Sequence, residues 1–365
     1  MKKGDKIGIV ACSNGLKESS RPEMEQLKIT LENLGLTPVF SEYLYAKDGT
    51  ESGTRQQRAE ALMKFYRDEE IKGIFDVSGG DLANGVLPWL DYETIAKSGK
   101  MFWGYSDLTT VVNAITAKTG KPSVLYQIRN LIYQDGEEQK CRFRSCLLEQ
   151  NQRQGIGSTQ NQTQKNRSLQ SQSLPESLEP EESGYIQKMS GLDTLFHFPY
   201  HFLQGTHMSG PLIGGNIRCF LKLAGTEYFP DLTGKLLLLE ACGGGEPQLL
   251  TYLSHLEQLG AFRKVSGILL GTFTKLDREK GPERVWELLQ SFVPTELPVA
   301  RTTFIGHGTD SRAAVIGSSY NFSEKYKNNR RPHVLQDLPA IVRKGKGALK
   351  LRFKGEGLKE TEVQL

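Results

Sequence analysis

The chain has 365 residues, 38% of them hydrophobic and 24% charged, with a formal net charge of +4. That length argues for two domains, and the apolar content suffices for buried cores. So small a charge, with no basic patch interleaved with aromatics and no RNP, zinc-finger or P-loop pattern, excludes an electrostatic case for nucleic acid.

Lys6–Ala11 (KIGIVA) reads as a buried first strand; Asp5 and the shortness of the apolar run argue against a secretory leader. Pro22–Gly35 is a helix with Met24, Leu27, Leu31 and Leu34 on one face. Thr37–Phe40 is a second strand. Thr54–Arg67 is a helix burying Ala59, Leu62, Met63 and Tyr66. Gly73–Ser78 is a strand running into Gly79-Gly80-Asp81. Met101, Phe102 and Trp103 make a short strand that meets Gly104-Tyr105-Ser106-Asp107, and a helix then runs from Leu108 to about Gly120. Such alternation argues a parallel sheet with helices on both faces, whose ligands bind beyond the carboxyl ends of the strands.

From about Glu137 to Ser183 the composition changes. Residues 149–174 are rich in Gln, Asn, Ser and Arg, and Pro175–Glu182 is acidic, which reads as a disordered insert or linker. Order is expected again from Tyr185–Gly205. In the second block, Pro211–Gly215 ends a strand and Asn216–Gly225 is a short helix. Lys235–Glu240 is a buried strand, and Glu246–Gly260 is a helix with Leu249, Leu250, Leu253, Leu256 and Leu259 on its apolar face. Ser266–Phe273 is a strand, Pro282–Val293 a helix, and Pro298–Phe304 a strand entering Gly306-His307-Gly308. Ala340–Val342 and Leu349–Phe353 suit a hairpin. The expected organisation is an N-terminal domain over 1–135, an insert and linker over 136–204, a C-terminal α/β domain over 205–345, and a strand and tail over 346–365.

Cys12, Cys141, Cys146, Cys219 and Cys242 are scattered without CxxC spacing, which suits reduced thiols in the cytosol. No run approaches the ~20 apolar residues of a membrane span. A cytoplasmic protein without a membrane partner is expected.

Ser106 is the first residue to consider for chemistry. A serine at a sharp strand-to-helix turn presents its hydroxyl at the sheet edge, and N–H groups opening the helix can hold an oxyanion. The G-x-S-x-G form is incomplete, because Leu108 takes the place of the second glycine; a plain helix cap at Ser106 or Asp107 is the competing reading. Of six histidines, His307 is set between glycines just after a strand, which lets the backbone turn and aim its imidazole outwards. His197 and His201 are four apart, but Pro199 between them argues against a metal-binding helix, and no metal is expected. Glu240, ending a run of leucines, could orient a histidine; Glu246 and Asp310 compete for that role. The Gly79-Gly80-Asp81 loop could bring backbone N–H groups against an oxyanion.

Three segments, Gly104-Tyr105-Ser106-Asp107 with its helix, Gly214-Gly215-Asn216 with Ala224-Gly225-Thr226 and the Leu236–Glu240 strand, and Ile305-Gly306-His307-Gly308, resemble the LD-carboxypeptidases of serine peptidase family S66. The Ser78–Gly80 loop and Leu87-Pro88-Trp89-Leu90-Asp91 add to the resemblance, which covers about 1–130 and 205–320. It implies an α/β fold with an N-terminal flavodoxin-like (class I amidotransferase-like) parallel-sheet domain, a C-terminal α/β domain and an active site between them. It also implies a triad of Ser106 as nucleophile, His307 as base and then acid, and Glu240 orienting the imidazole, with the backbone N–H groups of Gly80 and Asp107 as oxyanion hole. No metal or organic cofactor is implied, and a homodimer is. The implied activity is release of terminal D-alanine from an L,D-peptide bond of a muropeptide, as in peptidoglycan recycling. An immunity-type peptidase cleaving aminoacyl-nucleotide amides is the alternative, and a non-catalytic muropeptide-binding homologue is the third reading. Two departures stand out: Ser78 replaces the arginine of the usual Arg-Gly-Gly, and the Gln-rich stretch occupies the position of the interdomain linker.

Overall fold

The computed structural model describes residues 1–47, 49–155, 194–324 and 333–334. The expected 340–353 hairpin and most of the Gln-rich stretch lie outside these residues. The first half runs β1 (Lys6–Val10), α1 (Arg21–Asn33), β2 (Thr37–Phe40), α2 (Arg55–Arg67), β3 (Ile71–Asp76), α3 (Tyr92–Lys97), β4 (Met101–Gly104), α4 (Thr109–Thr119), β5 (Ser123–Leu125) and α5 (Gly136–Gly155). The second half runs β6 (His201–Gln204), β7 (His207–Asn216), α6 (Ile217–Leu221), β8 (Leu236–Ala241), α7 (Glu246–Gln258), α8 (Ala261–Lys264) and β9 (Gly267–Phe273). It continues with α9 (Thr274–Lys280), α10 (Glu283–Leu289), β10 (Val299–Arg301), β11 (Ala314–Ile316), β12 (Ser319–Ser323) and β13 (His333–Val334).

These strands form two sheets. The first has the order β11-β5-β4-β3-β1-β2. Its five N-terminal strands are parallel and follow the flavodoxin-like order. The sixth, β11, comes from the second half of the chain and pairs antiparallel with β5, so the sheet is mixed rather than wholly parallel. The second sheet, β13-β12-β7-β8-β9-β10-β6, is parallel from β7 through β10 and antiparallel at both flanks.

The apolar stripes read from the sequence face the cores. In α1, Met24, Leu27 and Leu31 are buried, and Leu34 is buried at its C-cap. All four expected residues of α2 are buried, and its start is fixed by a capping box between Thr54 and Gln57. In α7, Leu249, Leu253 and Leu256 are buried, while Leu250 and Leu259 pack at the rim of the same core. All of β8 is buried, because β7 and β9 flank it and its alternate leucines enter two different cores.

The two sheets meet along α4 and β7. Asn113 of α4 donates from Nδ2 to the Gly214 carbonyl at 2.8 Å and accepts the Gly214 N–H on Oδ1 at 2.9 Å. One turn earlier, Thr109 Oγ1 accepts the Asn216 N–H at 3.1 Å. Only a glycine permits this approach: a Cβ on Gly215 would stand 2.8 Å from Thr109 Oγ1. Removing the amide orphans two buried backbone groups, so Asn113→Ala should lower the unfolding free energy by about 2–4 kcal/mol. Denaturant titration reads this directly, and an unchanged midpoint would show that the clamp carries no stability.

Candidate active site

Ser106 follows β4 and opens a single 3-10 turn, Ser106–Leu108, that leads into α4. Its φ is 58°, and it is the only non-glycine with positive φ among the described residues. Such backbone costs about 1–3 kcal/mol and persists only where its surroundings fix it. Leu108, standing where a second glycine was missing, is buried, and a Cβ on Gly104 would come within 2.6 Å of its own Cβ. The bare Gly104 therefore leaves the room that Leu108 fills, and the elbow forms without the second glycine.

The three residues singled out in the sequence come together. His307 Nε2 lies 3.0 Å from Ser106 Oγ, and His307 Nδ1 lies 2.8 Å from Glu240 Oε2. Glu240 is fully buried, while the His307 side chain is 16% exposed. With Nδ1–H donating to the carboxylate, Nε2 is left to accept the serine hydroxyl. Tyr105 packs edge-on against the imidazole, with ring centroids 5.0 Å apart. Burial, and then the Glu240 charge, holds the Tyr105 phenol well above its ordinary pKa. The rival carboxylate Glu246 is bound to Arg284 instead.

Each member is set by its strand. Glu240 lies in β8, directly across from Asn216 of β7, so the seam that positions α4 also positions the carboxylate. His307 lies between β10 and β11, in a turn braced from α5. There Gln139 donates to the carbonyls of Thr309 and Ser311, and accepts from Tyr126; Thr309 also bonds Asp135.

The floor is a polar network at the ends of β1 and β3. Asp107 is buried and accepts from Ser13 Oγ, the Ala83 N–H and Lys222 Nζ. Its own N–H follows Ser106 directly. Ser78, in the place of the family arginine, points inward: it donates to Asp76 and accepts from the Ser13 N–H. Gly79 lies against Ser106, 4.0 Å from its Cβ to where its own would stand. The Gly80 carbonyl accepts from Arg218, which also pairs with Asp81. Sequence reading missed Asn113, Gln139, Lys222 and Asp76, because a single polar residue inside an apolar helix or at a strand end carries no periodic signal.

A cavity of about 220 Å³ opens above the serine. Ser78, Gly79, Gln127, Arg129 and Tyr133 line it together with Gly306, His307 and Ser311. Among the described residues no group of His, Cys, Asp and Glu has the arrangement of a metal site. No described helix is long and apolar enough to cross a membrane.

Residues 7–126 match the LD-carboxypeptidase N-terminal domain of peptidase family S66, and residues 209–322 match its C-terminal domain. A probable murein peptide carboxypeptidase of Bacillus subtilis is 26% identical over 333 residues, covering 89% of this chain and 91% of that protein. The microcin C7 self-immunity protein MccF of Escherichia coli is 27% identical over 288 residues, covering 78% and 80%. The solved muramoyltetrapeptide carboxypeptidase of Oxalobacter formigenes has the same fold, with a TM-score of 0.62 at 19% identity over 90% of this chain and 97% of that one.

Burial pushes Asp76 up to about 6, against the opposing bonds from Ser78 and Cys12. The folded protein therefore keeps this proton to higher pH than the unfolded chain. The stability it contributes is complete below about pH 4 and is lost as pH rises through 6, by about 3 kcal/mol. Asp76→Asn removes the titration, so the difference in unfolding free energy between wild type and variant should change by that amount across pH 4–7. Parallel curves would place the Asp76 pKa near its ordinary value.

Proposed function

We propose that this chain, which belongs to the LD-carboxypeptidase family, is a serine peptidase that hydrolyses the L,D-peptide bond of a muropeptide and releases terminal D-alanine. The observation that carries the reading is the continuous hydrogen-bonded line Ser106–His307–Glu240, ending on a nucleophile at the wall of an open cavity. The murein peptide carboxypeptidase among its relatives supports the substrate.

In this mechanism Ser106 Oγ attacks the scissile carbonyl carbon while its proton passes to His307 Nε2. Glu240 stabilises the imidazolium and keeps its ring in place. The oxyanion is held by the N–H groups of Asp107 and Gly80. Collapse of the tetrahedral species breaks the C–N bond, and His307 returns the proton to the departing amine. Water, deprotonated by His307, then attacks the Ser106 ester and frees the shortened peptide. Work as a cytoplasmic homodimer in peptidoglycan recycling belongs to the same reading.

The similarity to MccF favours one second reading, cleavage of the amide between an aminoacyl group and a nucleotide-like moiety. The same triad would serve it, with a different leaving group.

The test is D-alanine release from L-Ala-γ-D-Glu-L-Lys-D-Ala and its diaminopimelate counterpart. Wild type should release it, and Ser106→Ala should lower kcat by more than about a thousand-fold at an unchanged unfolding midpoint. Wild-type rates in the variant would remove Ser106 from the mechanism. Preferential cleavage of an aminoacyl sulfamoyl nucleoside would install the second reading.

A further inference from the structure

Arg129 makes no part of the triad, yet it lines the same cavity. It lies in the 3-10 turn Ile128–Ile132 that follows β5 at the sheet's carboxyl edge. Its guanidinium is fixed from two directions. One terminal nitrogen pairs with Glu23 of α1, and the group lies over the Tyr133 ring with its carbon 5.4 Å from the centroid. The third nitrogen, Nε, is buried and makes no hydrogen bond within the protein. Among the described residues that line the cavity, Arg129 alone carries a permanent charge, and none is Asp or Glu. The cavity wall thus presents a cation positioned by Glu23 and Tyr133, with no carboxylate among the described lining residues.

A peptidase that removes one residue from a carboxyl terminus has a free carboxylate beside the bond it cuts. Only three covalent bonds separate the scissile carbon from the carboxylate carbon, a path of about 4 Å. A cation that recognises this carboxylate has to share a small cavity with the nucleophile, and Arg129 and Ser106 share one of about 220 Å³. Guanidinium is the group suited to it, since its planar fork matches a carboxylate and stays charged at every working pH.

We propose that Arg129 binds the terminal carboxylate of the leaving residue and so makes the enzyme an exopeptidase. The proposal rests on the carboxypeptidase reading above. It assigns Arg129 to substrate selection, separate from bond cleavage.

The experiment compares kcat/KM for L-Ala-γ-D-Glu-L-Lys-D-Ala and for the same peptide ending in a carboxamide. It uses the full chain as wild type, Arg129→Gln, Arg129→Lys and Glu23→Gln. Wild type should prefer the free acid by about 10- to 100-fold, the range for a charge-assisted hydrogen bond. Arg129→Gln should erase that preference by losing activity on the acid while keeping its rate on the carboxamide. Arg129→Lys should restore part of the preference. Glu23→Gln breaks the ion pair but leaves the guanidinium, and should keep it. An equal loss on both peptides in Arg129→Gln would reduce Arg129 to a structural role and overturn the proposal. Equal hydrolysis of acid and carboxamide by wild type would also overturn it, with the peptidase reaction left standing. No release from either peptide by folded wild type would remove that reaction and this role together.

Discussion

The seam between α4 and β7 is the constraint on which the site depends. Ser106 belongs to the first sheet, Glu240 to the second, and no covalent path shorter than the intervening 133 residues of sequence joins them. Asn113 and Thr109 convert that separation into a fixed offset by bonding the backbone of Gly214 and Asn216. Since Asn216 lies opposite Glu240 in the ladder, the helix that follows the Ser106 turn is registered against the strand that carries Glu240. A buried amide bonded to both the N–H and the C=O of one residue does this well, because neither bond can be exchanged for water.

The histidine turn is held by the same logic from the other side. After β10 the chain passes through His307 and returns to the first sheet as β11. The turn is therefore tethered to one sheet at its start and to the other at its end, and Gln139 and Asp135 brace its middle. From α6, Arg218 and Lys222 reach the Gly80-Asp81 loop and Asp107. Each element of the candidate oxyanion hole is thus touched by the opposite half of the molecule. Alignment of the two sheets and competence of the site become one variable.

Much of this was legible in the sequence. The N-terminal strands and helices announced themselves through periodicity, and Ser106, Glu240 and His307 stood at strand ends next to glycine-rich turns, where side chains escape a sheet. Three of the short elements were not legible. β5, β6 and β11 have three or four residues each, too few for alternation to register, and the antiparallel β11 joins a sheet built some 190 residues earlier. For Ser78, standing where the resemblance places an arginine, the sequence left a changed substrate contact and a changed loop geometry equally open. In the structure Ser78 serves the loop beneath the site, tying Asp76 to the strand beside it.

That floor explains how the strained serine is sustained. Two carboxylates, Asp76 and Asp107, are wholly buried below it, and both serve the loops. Asp107 has a cation, Lys222, and bonds from two neighbouring segments. Asp76 has uncharged donors, from N–H, hydroxyl and thiol groups, so desolvation prevails and its pKa rises. The segment that carries Ser106 is locked by an ion pair, whereas Ser78 facing it is held through Asp76 and the Ser13 N–H. A charged pair holds the turn that carries Ser106, and uncharged donors hold the loop that faces it across the cavity.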